Sequence, residues 1–352
     1  MKLELKRVVA VAGLLVGAGG IPTQVMAERP LTVVSWGGSV QEIQKQVYFK
    51  PFAASTGQQI IDETWNGGLG VIRSKVEAGT DSGWDVVQVE SEDLQIGCEE
   101  GLYETIDWSK VGGKGNYIDM AVSDCGVGTA VFSVILAYDK NKLSNAPTGW
   151  ADFFDTKKFP GKRALNQSPK WTLEIALMAD GVKPADVYSV LSTPQGVDRA
   201  FAKLDTIKNN VIWWKSGAQP SQLLASGEVA MAAAYNGRID TANRDDKRNF
   251  GIVWNGALTA IDSWVILKTS PYKDAAYKYL NFVGRPENQA KYGALVAYGV
   301  TSKGANDVID PKRLADLPTS PEHLKMSVAT SDKFWIENFD RLSARFNTWA
   351  AN

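Results

Sequence analysis

The sequence predicts an α/β protein of two lobes, each a mainly parallel sheet covered by helices. Three observations carry this. Short apolar runs alternate with helix-length stretches along the 352 residues, as in successive βαβ units. The length exceeds what one hydrophobic core comfortably serves. With 44% hydrophobic residues and no low-complexity tract or internal repeat, the whole chain can fold.

In order along the chain, residues 31–36 form an apolar strand, Gly37-Gly38-Ser39 a turn, and 40–56 a helix broken or bent near Pro51. A helix over 67–79 and a strand over 85–89 follow, then a helix over 91–101 closed by Gly101. Residues 131–138 are an apolar strand. Helices over 171–180, ended by Gly181, and 197–208 precede a strand over 211–214. The alternation continues through a helix over 221–226, a strand over 229–235, two short strands over 252–254 and 264–267, and helices over 273–282 and 287–292.

The first 27 residues have the composition of an export signal. Lys2, Lys6 and Arg7 precede an apolar run over 8–21, and Val25-Met26-Ala27 offers small residues for cleavage near Glu28. That run is shorter than the roughly 20 residues needed to span a bilayer. The expectation is a soluble periplasmic product. Removing these residues takes three basic and one acidic residue from totals of 38 and 39, leaving 35 against 38 and a net charge of −3. Such a balance excludes nucleic acid or an anionic membrane as the main partner, since either calls for a basic patch.

Cys98 and Cys125 are the two cysteines. In an oxidising compartment they read as one structural disulfide, with a pair of buried free thiols as the alternative. Catalytic and metal chemistry lack their residues. The single histidine, His323, lies in a polar Pro-Glu-His-Leu-Lys context and reads as a surface residue. No histidine-based triad or multi-histidine metal site can be assembled from it. No nucleophile elbow, His-Glu-x-x-His helix or phosphate loop occurs. The tyrosines nearest in sequence, Tyr277 and Tyr279, point to different faces of a helix, against a paired-tyrosine iron site. No cofactor or metal is expected. A carboxylate pair could still serve an exported carbohydrate-active enzyme.

In sheets of this kind ligands sit beyond the carboxyl ends of strands, where loops meet helix N-termini. That selects Trp36-Gly37-Gly38-Ser39, Glu90-Ser91-Glu92, Tyr235-Asn236-Gly237-Arg238 and the surroundings of Asp262. Gly37 and Gly38 would let a ligand approach the backbone, or merely make a tight turn. Of the 12 tryptophans, Trp36, Trp65, Trp171, Trp254 and Trp264 lie where an aromatic wall could form. Trp84, Trp108, Trp150 and Trp335 read as packing residues.

Several stretches resemble one family across essentially the whole mature chain. They are Leu31-Thr32-Val33-Val34-Ser35-Trp36-Gly37-Gly38, Trp84-Asp85-Val86-Val87, Pro147-Thr148-Gly149-Trp150-Ala151-Asp152-Phe153-Phe154-Asp155, Phe159-Pro160-Gly161-Lys162-Arg163, Leu223-Leu224-Ala225-Ser226-Gly227-Glu228-Val229, Ala260-Ile261-Asp262-Ser263-Trp264-Val265-Ile266 and Tyr279-Leu280-Asn281-Phe282. They are similar to the spermidine/putrescine-binding proteins of bacterial ABC importers. The resemblance implies a type II periplasmic binding protein, two α/β lobes joined by crossover hinge strands, that closes on a solute and presents it to an inner-membrane ABC permease without making or breaking bonds. It implies one lobe from residues 28–136 and 260–315, a second from 137–259, and C-terminal helices in 316–352 packed on the first. Residues 131–138 and 258–264 would be the hinge crossings, and a monomer is expected.

Carried over residue by residue, the resemblance makes Trp36 the ring that stacks on the ligand's alkyl chain and Asp262 the carboxylate that grips an ammonium. Tyr235 stands where a tryptophan is usual and Glu92 where a tyrosine is frequent. The second-lobe acids of many polyamine binders are replaced by Asn166-Gln167-Ser168-Pro169-Lys170-Trp171, and Arg238 enters where a neutral or acidic residue is common. A buried dication needs a carboxylate at each end. Lys170 and Arg238, facing the cleft, would instead suit a carboxylate. Polyamine is therefore the family-level expectation, with an amino acid or carboxylated amine as its rival. For Arg238 a salt bridge to Asp240 or Asp245 is the structural alternative. A sensory ligand-binding role is a further functional class.

Overall fold

The computed structural model describes residues 29–79 and 81–351. The expected signal, residues 1–27, lies outside them. No described helix is long and apolar enough to cross a membrane.

Strand β1 (Leu31–Ser35) leads through Gly37 into a continuous helical stretch: α1 (Gly38–Gln44), a π-helical turn over Lys45–Phe49, and α2 (Lys50–Thr56). Pro51 sits in the first turn of α2, where its missing N–H costs little, so the bend expected there is taken up by the π turn before it. Then come β2 (Ile60–Thr64), α3 (Leu69–Glu77), β3 (Val86–Glu90) and α4 (Ser91–Glu99). The long β4 (Gly126–Asp139) leaves this half for the other. There α5 (Trp150–Phe154), β5 (Arg163–Asn166), α6 (Pro169–Ala179), α7 (Val187–Leu191), α8 (Pro194–Asp205), β6 (Val211–Trp214), α9 (Gln219–Ser226), β7 (Met231–Tyr235) and α10 (Asn236–Asp245) follow. The return is made by β8 (Phe250–Ile266), succeeded by α11 (Lys273–Val283), α12 (Pro286–Leu295), α13 (Pro311–Ala315), α14 (Pro321–Met326), β9 (Val328–Ala329) and α15 (Asp332–Ala351).

Among the described residues the strands join one sheet in the order β2-β1-β3-β8-β4-β7-β5-β6, with β9 on β8. Each half has parallel outer strands: β1 pairs with β2 and β3, and β5 with β6 and β7. Between them β4 and β8 run antiparallel to each other, from the Gly126–Val265 pair to the Asp139–Phe250 pair. These two strands are the crossovers. The sequence suggested separate strands over 252–254 and 264–267, but one strand spans both. Its register with β4 slips between Val134 and Leu136, where β8 jumps from Leu258 to Val253. Gly256 lies in the looped-out residues with φ 75°, a left-handed value that glycine takes without strain.

Both crossovers are buried almost throughout, and their apolar side chains feed cores on both sides. Cys98 and Cys125 form a disulfide with Cα atoms 5.6 Å apart, tying α4 to the start of β4. The last helix departs from expectation. The sequence placed residues 316–352 on the first lobe, yet α15 also lies along α8 and β6. Phe346 packs 5.5 Å from Trp213 and 6.3 Å from Phe201, while Trp349 Nε1 donates to Asp205 Oδ1 (2.7 Å) and Arg345 pairs with Asp198. An apolar stripe of Phe334, Trp335, Leu342 and Phe346 on α15 needs cover; Tyr188 of α7 meets Phe334, α6 meets Trp335, and Phe201 of α8 and Trp213 of β6 meet Phe346.

Candidate functional site

Between the two halves lies a cavity of about 690 Å3, within the roughly 300 to 1,000 Å3 typical of small-molecule sites. Its first wall carries Trp36, Glu90, Glu92 and Asp262, and its second Trp171, Tyr235 and Arg238. Trp36 follows the last residue of β1, and Glu90 ends β3. Asp262 lies opposite Glu90 in the antiparallel β3–β8 pair, so the two carboxylates share one face of the sheet.

Asp262 is 5% exposed. Its Oδ2 accepts hydrogen bonds from Trp36 Nε1 (2.9 Å) and Gln88 Nε2 (3.2 Å), whereas its buried Oδ1 has no protein partner. Gln88 is itself held, since its Oε1 accepts from Gln44 Nε2 (3.0 Å) and Ser35 Oγ (2.8 Å). Burial, reinforced by the nearby Glu90 charge, pushes the Asp262 carboxyl well above its ordinary value, against the opposing Trp36 hydrogen bond and the Lys170 and Arg238 charges. Such a group gains most from a cation brought to its free oxygen.

Arg238, in the first turn of α10, is 4% exposed. Its guanidinium crosses to the other half, donating to the backbone oxygens of Trp36 (3.0 Å) and Gly37 (3.2 Å), while the buried Nε has no partner. The proposed salt bridges to Asp240 and Asp245 do not form: Arg313 and Arg244 hold those carboxylates. Gly37 and Gly38 have φ values of 66° and 62°. A Cβ on Gly38 would lie 2.7 Å from Arg238 Nη1, so this turn, which the sequence left open between ligand approach and a plain tight turn, gives room to the arginine.

Lys170 also crosses between the halves. Its ammonium stands 2.5 Å from both Glu90 Oε2 and Glu92 Oε1, and 4.4 Å from the centre of the Trp171 ring. It is thus committed to two carboxylates and is not free to grip a ligand's carboxylate as the sequence suggested. Desolvation alone would lower its pKa; attraction to Glu90 and Glu92, with the hydrogen bond Lys170 donates to Glu90 Oε2, reverses that and holds the ammonium charged. Burial, then the Glu90 and Glu92 charges, raises neighbouring Asp93 to about 6.

Two further expectations are corrected. Ser39 is exposed in the first turn of α1 and does not line the cavity. Ser91 Oγ donates to the Ile261 backbone oxygen (3.1 Å), so it serves the fold beside the cavity. Among the tryptophans, Trp36 stacks on Trp65 with centroids 5.3 Å apart. Trp254 instead stacks at 3.8 Å on His323, which is half-buried rather than superficial, and Trp264 is fully buried against Tyr279. Trp335, read as a packing residue, reaches the cavity's edge and donates to Glu174 Oε1 (2.7 Å).

Sequence reasoning missed Phe132, Trp214, Tyr298 and Gln88. Phe132 sits on β4 with its ring 5.4 Å from Tyr235 and 6.1 Å from Trp171, giving the second wall its aromatic floor. Gln88 was open to detection as an amide in an otherwise apolar strand, since a buried polar group needs partners.

The model for the family described as bacterial extracellular solute-binding protein matches residues 33–319. The chain is 45% identical over 324 residues to a gamma-aminobutyric acid-binding protein of Pseudomonas aeruginosa, covering 92% of this chain and 91% of the relative. Among solved structures, a PBP of A. tumefaciens B6 in complex with glucopine superposes with a TM-score of 0.84 at 30% identity, covering 92% and 100% of the two chains. A GABA receptor superposes with a TM-score of 0.79 at 33% identity, covering 92% and 98%. A spermidine/putrescine-binding periplasmic protein of Escherichia coli K12 is 23% identical over 77% of this chain and 78% of its own.

Proposed function

The chain belongs to the bacterial extracellular solute-binding protein family, and from that premise we propose that its solute is an ω-amino acid, γ-aminobutyrate being the leading member. The substrate-binding proteins of ABC transporters, its family and relatives, are not enzymes, which overturns the carbohydrate-active alternative. Such proteins bind small molecules and deliver them to a permease. We place capture in the periplasm, after removal of residues 1–27.

One observation carries the choice of solute. In a single cavity, Asp262 Oδ1 is a buried carboxylate oxygen without a partner and Arg238 Nε a buried guanidinium nitrogen without one. A molecule with an ammonium at one end and a carboxylate at the other satisfies both, and its apolar chain can lie against Trp36 and the Phe132–Tyr235–Trp171 rings. The sequence ranked polyamines first. A diamine leaves Arg238 unsatisfied and needs a second carboxylate, but Glu90 and Glu92 are already engaged by Lys170. The 45% relative is named for the ω-amino acid and the 23% one for polyamines. Closure follows from linkage: a solute touching both halves at once stabilises the closed form in proportion to its differential contacts there.

Tryptophan fluorescence of the mature protein, titrated with γ-aminobutyrate, putrescine and glutarate, tests this. Saturable binding of γ-aminobutyrate in preference to the other two is expected. A protein that answers to putrescine and ignores γ-aminobutyrate would overturn the reading.

A further inference from the structure

We propose that Lys170 determines specificity by occupying, as an internal ammonium, the second cation position of the cavity, so that the protein rejects diamines. This rests on the ω-amino-acid reading and goes beyond it, because it assigns the rejection to one side chain.

The geometry that carries it lies at the start of α6. Pro169 is in the first turn, and the next two residues are not helical: Lys170 has ψ 138° and Trp171 φ 69°. A positive φ at a bulky aromatic residue is rare and is maintained only where its surroundings enforce it. Here the kink turns Lys170 across the cleft. Its side chain, 7% exposed, places the ammonium between Glu90 at the end of β3 and Glu92 in the first turn of α4, 2.5 Å from each. The face of Trp171 lies on a further side at 4.4 Å. Three contacts on one buried ammonium make a built cation site, filled by the protein itself.

Without Lys170, Glu90 and Glu92 would stand as uncompensated carboxylates on the wall that also carries Asp262. That arrangement suits a dication, one ammonium at Asp262 and one between the glutamates. With Lys170 in place, the second ammonium of a diamine meets a like charge in a buried site, whereas the carboxylate of an ω-amino acid points to Arg238 and never contests the position. The glutamates remain useful because Lys170 comes from the opposite half of the sheet: their pairing with it adds to closure whatever the solute.

The test compares wild type with Lys170→Gln, titrated with γ-aminobutyrate and putrescine by calorimetry, after circular dichroism and thermal melting have checked the fold. The ratio of putrescine to γ-aminobutyrate dissociation constants is expected to fall at least about 30-fold in Lys170→Gln, as removal of a like-charge contact implies. Wild type preferring γ-aminobutyrate together with an unchanged ratio in the folded variant overturns the role of Lys170 and leaves the solute reading intact. Wild type preferring putrescine overturns both. Should Lys170→Gln not fold, the double variant Glu90→Gln/Glu92→Gln decides. It keeps Lys170 but removes the two carboxylates that neutralise it in the cavity that Arg238 also lines, so binding of glutarate, absent in wild type, is expected to appear. Failure of glutarate to bind that folded double variant overturns the proposal.

Discussion

Replacing Asp262 by asparagine should cost affinity without costing stability, and that combination separates a ligand-gripping carboxylate from a structural one. Asparagine is nearly isosteric. Its side-chain oxygen can accept the bonds from Trp36 Nε1 and Gln88 Nε2 that Asp262 Oδ2 accepts at 2.9 and 3.2 Å. The free protein therefore keeps its hydrogen bonds and is relieved of a carboxylate that is 5% exposed and has one oxygen without a partner. In the proposed binding mode, the bound variant lacks the charge that faces the ammonium. Truncating one member of a buried charge pair costs about 2 to 5 kcal/mol. A value near 3 kcal/mol corresponds to a dissociation constant raised roughly 100-fold. Calorimetric titration with γ-aminobutyrate reads the affinity, and melting curves with and without ligand read the stability. A wild-type melting temperature or a slightly higher one is expected for the ligand-free variant, with the ligand-induced increase largely gone. Affinity within threefold of wild type would refute the reasoning, as would a ligand-free protein that melts well below it.

Three other outcomes are expected. Arg238→Lys keeps the charge but cannot reproduce the fork that reaches the Trp36 and Gly37 oxygens, so it should weaken γ-aminobutyrate binding by about 2 kcal/mol, roughly 30-fold; unchanged calorimetric affinity would show that the arginine serves the fold alone. Burial raises the Glu174 carboxyl from 4.5 to about 7 while Trp335 and Tyr188 hold its Oε1. The folded state thus binds more protons than the unfolded state between those values, and the stability this contributes is complete below pH 4.5 and lost as the pH rises through 7. Glu174→Gln should flatten the melting temperature between pH 5 and pH 8, only in part because Asp93 and Asp332, both raised to about 6 chiefly by burial, act with the same sign; an unaltered profile would exclude the assignment. Phe346→Ala on α15 removes a fully buried ring packed on Trp213 and Phe201 and should cost about 3 to 5 kcal/mol in urea unfolding, whereas a loss under 1 kcal/mol would mean that the helix is not anchored on that face.

The elements read from the sequence were legible because most are apolar runs of the right length bounded by glycine, proline or polar residues, whereas β2, with Asp62, Glu63 and Thr64 in its five residues and a largely exposed surface, offered no such run. The misreadings share one physical cause, tertiary pairing that no local pattern encodes. The strand β8 looked like two because Asn255 and Gly256 interrupt it, and only pairing with β4 makes it one strand with a slipped register. The strand β5 was not separated out because it is four residues long and opens on Arg163, a charge that is fully buried only because its guanidinium donates to the backbone oxygens of Phe153, Gly161 and Phe159. At the site, Trp36 was legible from its position at a strand end and Asp262 from the family resemblance, although Asp262 lies inside β8; the structure joins them by a hydrogen bond. The two basic residues were legible as cleft-facing charges, but not what each would face. Arg238 meets backbone carbonyls and Lys170 meets Glu90 and Glu92, all from the opposite half.

That difference between the two cations bears on how the protein can bind selectively and still open. The polar ties across the cavity, Lys170 to Glu90 and Glu92 and Arg238 to the Trp36 and Gly37 oxygens, are each charged on at least one side. Coulombic attraction strengthens when water is excluded, yet desolvation of both partners offsets much of it. On the proposed reading, closure held by Lys170 and Arg238 alone is opposed by that desolvation. Like Trp214 Nε1, Asp262 Oδ1 and Arg238 Nε are among the cavity-lining atoms without a hydrogen-bond partner, and on that reading each weighs against an empty closed form until a solute reaches it. A solute that satisfies both removes two penalties at once, so its leverage on the open-to-closed equilibrium exceeds what either contact would give singly. A solute with only one matching end leaves one penalty standing and shifts the equilibrium less. On the proposed reading, selectivity for a molecule charged oppositely at its two ends follows from which cavity atoms the fold leaves without partners, and the hydrogen bonds already made fix where those atoms are.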